Sequence, residues 1–196
     1  MKLRIGPPVT GDDFYPRQSL MDSLTRALRG GHVAFLGPRR TGKTSCLKAI
    51  VANPPAEYVP LLLNLEKHHS ITDWLKELVA ATRVALNKPA HKLDWLKERG
   101  VGFLSRLEKI EFRVVGSVQL SASKATVWRP AADAFLSLLT ESDAPLLFLL
   151  DEFPAFLNLA AKNTPHDELE AAMTWFRSAR QELSDSSARF LVTGSI

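Results

Sequence analysis

Gly37-Pro38-Arg39-Arg40-Thr41-Gly42-Lys43-Thr44 fits the pattern G-x-x-x-x-G-K-[ST] at every position. The residue types describe an anion cradle. Glycines let the backbone curl so that successive N–H groups point inward, and a lysine reaches terminal phosphates as a movable point charge. The threonine hydroxyl is a hard oxygen ligand suited to Mg²⁺. A helix starting at this point adds the positive end of its dipole.

The flanks supply the context such a loop requires. His32-Val33-Ala34-Phe35-Leu36 is a short apolar run, expected to be a buried parallel strand. From Ser45 to Ala52, Leu47, Ile50 and Val51 recur at helical spacing, and Asn53-Pro54-Pro55 ends the helix.

A second apolar run, Leu146-Leu147-Phe148-Leu149-Leu150, ends in Asp151-Glu152. This is the form of a Walker B strand, with acids at the mouth of the sheet. Asp151 reads as a Mg²⁺ ligand, directly or through water. Glu152 reads as the general base that polarises an attacking water. The competing reading of Glu152 is a carboxylate favoured by the dipole of a following helix.

Composition fits a globular enzyme domain. The 196 residues are 45% hydrophobic and 23% charged, enough for one domain with a substantial core. No apolar run approaches membrane-spanning length, and the first residues carry no apolar signal region. Cys46 is the single cysteine, so no internal disulfide is available and a reducing, cytoplasmic setting is expected. A net charge of +4 is compatible with nucleic acid without arguing for it. His68 and His69 follow a strand, but no further Cys, His or Asp spacing completes a metal site.

The chain reads as one domain over residues 1–196. Residues 1–17 are expected to form a loop on the nucleotide side, and 111–126 an insertion or hairpin. Helices are expected at 18–28, 73–86, 93–110 (interrupted near Gly100-Val101-Gly102), 130–139 and from Thr164-Pro165 onward. Further strands are expected at 58–65, 112–120 and 189–193. The four tryptophans read as core or interface packing. Apolar strands alternating with amphipathic helices imply an α/β sandwich of three layers around a mainly parallel sheet.

One further core strand between the two motifs resembles the AAA+ and STAND-type branch of P-loop ATPases. Gly37 to Ser45, Leu150-Asp151-Glu152-Phe153-Pro154 and Val192-Thr193-Gly194-Ser195 are similar in wording to prokaryotic, archaeal-type AAA ATPases. The resemblance implies ATP and Mg²⁺ as cofactors. Gly37, Pro38, Arg39, Arg40, Thr41, Gly42, Lys43, Thr44 and Ser45 would bind the nucleotide. Thr44 and Asp151 would hold the metal, with Lys43 and Glu152 catalytic. Thr193 or Ser195 would be the sensor-1 polar group, against the plainer reading of a strand-terminal turn. Phe14-Tyr15-Pro16-Arg17-Gln18 stands where the branch has its opening hydrophobic-hydrophobic-Gly-Arg-Glu motif. Arg17 matches it, while Pro16 and Gln18 depart from it. Arg177, Arg180 and Arg189 are candidates for an arginine finger across a homo-oligomeric interface, set against a solvated-surface reading.

The branch also implies a fifth strand and a helical lid after the sensor-1 strand. The sequence stops at Ile196, so the expectation is a core truncated before both, with the 32–36 strand left at a sheet edge. The expected activity is Mg²⁺-dependent ATP hydrolysis coupled to a protein partner or a second copy. The alternatives are a STAND-like switch with slow turnover and a non-hydrolysing remnant.

Overall fold

The computed structural model describes residues 18–86, 100, 102–112 and 128–195. The elements in order are α1 (Gln18–Gly30), β1 (Val33–Gly37), α2 (Lys43–Ala52), β2 (Val59–Asn64) and a 3-10 turn (Leu65–Lys67). There follow α3 (Ile71–Leu86), α4 (102–112), α5 (Arg129–Ser142), β3 (Leu146–Asp151), α6 (Phe153–Asn163), α7 (His166–Glu182) and β4 (Arg189–Ser195).

The four strands form one sheet in the order β1-β4-β3-β2, and every neighbouring pair is parallel. Side chains alternate faces along a strand, so residue parity sorts the core. Leu146, Phe148 and Leu150 of β3 join a cluster with residues of α3, α5, α6 and α7. Leu147 and Leu149 join the opposite cluster with Leu24 and Leu28 of α1 and Leu47 and Ile50 of α2. Helices on both faces bury β3 along its whole length, which explains its unbroken apolar run. The expected α/β sandwich with a parallel sheet is what the described residues form.

β1 departs from expectation. Its residues alternate half-buried and exposed, and Leu36 is 47% exposed. Among the described residues β1 pairs with β4 alone, at the sheet edge where it was expected. Val33 and Phe35 pack toward α1 and α2, while Ala34 and Leu36 face the other way. β2 is the opposite edge, where ladder donors are needed on one side only, so Pro60 is tolerated.

The sequence reading assigns no element to residues 153–163, which form α6. Its signals are present: Pro154 lies in the first turn, and Phe153, Phe156, Leu157 and Ala160 have i, i+3, i+4, i+7 spacing. Phe112, expected to open a strand, is helical and is the last described residue of α4. The rest of the expected hairpin lies outside the described residues, as do residues 1–17 and the start of the 93–110 helix. Trp74, Trp128 and Trp175 are buried, as expected of core tryptophans.

Polar contacts fix the lower end of the sheet. His32 Nε2 donates to the Arg180 carbonyl at 2.8 Å, while its Nδ1 accepts from the Phe190 N–H at 3.0 Å. One neutral imidazole thereby ties the start of β1 to α7 and to the start of β4. Arg189 donates to the Leu28, Leu183, Ser186 and Ala188 carbonyls, closing the α7–β4 turn on the end of α1.

Candidate functional site at the carboxyl ends of the strands

The glycine-rich loop joins β1 to α2. Gly37 is the last residue of β1, and Gly42 stands before α2 with φ 84, in left-handed space that costs glycine nothing. Arg40 is also left-handed, at φ 63. A non-glycine residue there carries strain of about 1–3 kcal/mol, a pattern that clusters at ligand-binding loops. Thr41 Oγ1 donates to the Pro38 carbonyl at 2.9 Å and closes the curl. Arg39 and Arg40 stand exposed at the rim, and Ser45 is buried in the first turn of α2.

Lys43 folds back into the loop. Its Nζ donates to the carbonyls of Gly37 at 2.9 Å and Pro38 at 2.8 Å, and contacts Ser195 Oγ at 3.4 Å. Only 4% of Lys43 is exposed, so these oxygens replace its water. An arriving phosphate offers a stronger, charge-assisted acceptor for the same ammonium.

Parity places the acids. Asp151 follows Leu147 and Leu149 on the α1/α2 face of β3, and Thr193 and Ser195 follow Leu191 on the same face of β4. Thr44 Oγ1 donates to Asp151 Oδ2 at 2.7 Å, and Thr193 Oγ1 donates to Asp151 Oδ1 at 2.5 Å. Both carboxylate oxygens are therefore held by hydroxyls in a nearly dry position, with Asp151 4% exposed. Glu152 turns sharply, with φ 56, and its N–H donates to Thr193 Oγ1 at 3.4 Å. Ser195 Oγ donates to Glu152 Oε1 at 3.3 Å, which links Glu152 to Lys43 through one hydroxyl.

The structure thus brings Gly37–Ser45, Asp151, Glu152, Thr193 and Ser195 to one end of the sheet. Thr193 and Ser195, read from sequence as alternatives for one role, occupy two distinct places. Thr193 is fully buried against Asp151, whereas Ser195 sits between Lys43 and Glu152. Both belong to β4, which runs to Ser195, so the strand-terminal turn reading of Thr193-Gly194-Ser195 is corrected. Arg17 lies outside the described residues. Of the three arginine-finger candidates, Arg189 is engaged by carbonyls of its own chain, Arg180 lies over the Phe176 ring at 5.3 Å, and Arg177 is exposed. His68 is buried and His69 exposed, and among the described residues no group of three or more His, Cys, Asp or Glu side chains converges as a metal site.

A parallel sheet ordered β1-β4-β3-β2, with a G-x-x-x-x-G-K-T loop between β1 and α2 and an acid pair ending β3, defines the P-loop NTPase fold. Among solved structures, the chain is similar to the Walker-type ATPase of Pyrococcus abyssi, with a TM-score of 0.54 and 17% sequence identity. The match covers 97% of this chain and 48% of the other, so the chain spans about half the length of that structure. At this identity the likeness is one of fold. No family model and no curated protein matches the sequence. Among the described residues, no helix is long and apolar enough to cross a membrane.

Proposed function

We propose that this chain binds Mg·ATP at the 37–45 loop and hydrolyses it to ADP and phosphate, in the manner of AAA-type and STAND-type ATPases. The observation that carries this reading is the Thr44–Asp151 hydrogen bond of 2.7 Å beside the buried Lys43. It supports the reading because a hydroxyl, a carboxylate and an ammonium, groups suited to a metal-chelated triphosphate, stand together at one helix N-terminus.

The donor set fits Mg²⁺: the Thr44 hydroxyl and Asp151 carboxylate are hard oxygens, close enough to share one ion. When bound, the ion would neutralise negative charge on the phosphates. Lys43 exchanges the Gly37 and Pro38 carbonyls for phosphate oxygens. The α2 N-terminus and the loop N–H groups add fixed positive potential. Glu152 orients a water in line with the γ-phosphate and accepts its proton, an effect typically worth about 10²–10⁴ in rate. Ser195, within reach of both Lys43 and Glu152, reports the terminal phosphate to the base. Preference for adenine, and a contribution from Arg17, rest on the sequence resemblance, as does coupling to a second copy or a protein partner in a cytoplasmic setting.

Phosphate release under steady-state conditions tests the reading. The wild type should turn over Mg·ATP, and Glu152→Gln should retain nucleotide yet lose turnover by 10²-fold or more. Equal turnover in the two proteins rules Glu152 out as the base. One rapid turnover followed by retained nucleotide would favour a STAND-like switch over a continuously cycling ATPase.

A further inference from the structure

The residue between Thr193 and Ser195 faces the opposite side of β4, toward the cluster containing Phe190, Phe176 and α6. Gly194 is buried, and the ring of Pro154 fills the space a Cβ would occupy. A methyl group placed at Gly194 overlaps the Pro154 ring and stands 3.6 Å from Leu36 Cδ2. Backbone freedom is not what demands glycine here: among the described residues the positive-φ glycines are Gly31 and Gly42. The demand is for room, and a proline ring cannot swing aside as a flexible side chain does.

Pro154 lies two residues beyond Glu152, in the first turn of α6. The neighbouring Phe153 is wedged against Trp74 at 5.8 Å and Phe176 at 5.3 Å between ring centroids, so the helix start cannot slide sideways freely. The turn 151–154 is therefore gripped from both faces of β4. Hydroxyls of Thr193 and Ser195 hold the carboxylates on one face, and Gly194 seats the proline on the other.

We propose that Gly194 is a positioning residue for the acid pair: its missing side chain lets Pro154 close onto β4 and sets the turn that carries Asp151 and aims Glu152. This rests on the functional reading above. A displacement of about 1 Å at a reacting group can cost about 10² in rate. Gly194→Ala is accordingly expected to lower kcat about 10²-fold while Mg²⁺-free nucleotide affinity stays within threefold, because the 37–45 loop is untouched. Pro154→Ala, which loosens the seat, should lower kcat several-fold at unchanged Mg²⁺-free affinity. The double variant Gly194→Ala/Pro154→Ala should return to the level of Pro154→Ala alone, the new methyl occupying the space the ring vacates.

Wild-type kcat in Gly194→Ala or in Pro154→Ala overturns the proposal, as does a double variant no better than Gly194→Ala. Should Gly194→Ala not fold, Pro154→Ala and the double variant decide by the same criteria. The ratio of ATP affinity with Mg²⁺ to that in EDTA separates this inference from the hydrolysis reading. If the wild type shows a Mg²⁺-dependent ratio but no turnover, hydrolysis is refuted, and the ratio judges the proposal instead. It must then collapse in Gly194→Ala and recover in the double variant. A wild type that binds no nucleotide refutes both.

Discussion

Replacing Thr193 with valine keeps the branched side chain and removes one hydroxyl. That hydroxyl is fully buried, donates to Asp151 Oδ1 at 2.5 Å and accepts from the Glu152 N–H at 3.4 Å. Hydrogen bonds to charged groups contribute about 1.5–3 kcal/mol, and a buried acceptor stripped of its donor bears the desolvation cost in full. Asp151 keeps the Thr44 donor on its other oxygen, so the loss falls inside that range, at about 2 kcal/mol. For a chain of this size about 1 kcal/mol moves Tm by about 2–4 °C, so Thr193→Val should melt about 4–8 °C lower. Urea denaturation at pH 7.5 measures the change, with Thr193→Ser as the control that restores the hydroxyl and most of the stability. A Thr193→Val protein within about 0.5 kcal/mol of wild type, the range of neutral surface changes, would refute the view that Thr193 anchors Asp151.

His32 gives a pH prediction. Burial, the largest cause, and the nearby Arg189 and Arg180 charges push its imidazole below the usual value of 6.5. Its Nδ1 must stay unprotonated to accept from Phe190. The unfolded chain takes up this proton more readily than the folded one. Stability is therefore full above about pH 6.5 and falls as pH drops from there toward the lowered folded pKa. His68 is shifted the same way by burial, so the comparison is with His32→Gln, whose urea midpoint should lose less between pH 7.5 and 5.5 than that of the wild type. The edge and centre of the sheet differ in cost: Leu149→Ala, at a position with no exposed surface, should lose about 2–5 kcal/mol in the same assay. Leu36→Ala, at 47% exposure, should lose about 1 kcal/mol or less.

Much of the candidate site was legible because its residue pattern is local. The loop from Gly37 to Thr44 is contiguous, and the need for glycine, lysine and threonine at fixed spacing does not depend on the rest of the fold. Asp151 was legible because an unbroken apolar run must be a strand buried on both faces, which puts the next residue at the sheet mouth. The distinction between Thr193 and Ser195 was not legible. Both lie on the same face of β4, and only the depth of burial against β3 separates a residue that holds Asp151 from one that reaches Lys43. The edge position of β1 was expected, but its exposure was misread, because an apolar run reports hydrophobicity while the covering of each face of a strand is a property of the whole fold. α6 was passed over although its signals are local: Pro154 in the first turn starts a helix, and the apolar residues after it keep helical spacing. The demand for glycine at 194 comes from a ring 40 positions away in sequence and is invisible to any local pattern.

Isothermal titration of ATP with Mg²⁺ into the wild type and into Lys43→Ala reads the central claim most directly. The account predicts saturable binding by the wild type and its loss in Lys43→Ala, because it assigns the grip on the phosphates to the ammonium that Gly37, Pro38 and Ser195 now surround. No heat of binding from the wild type, or equal affinity in the two proteins, would contradict it.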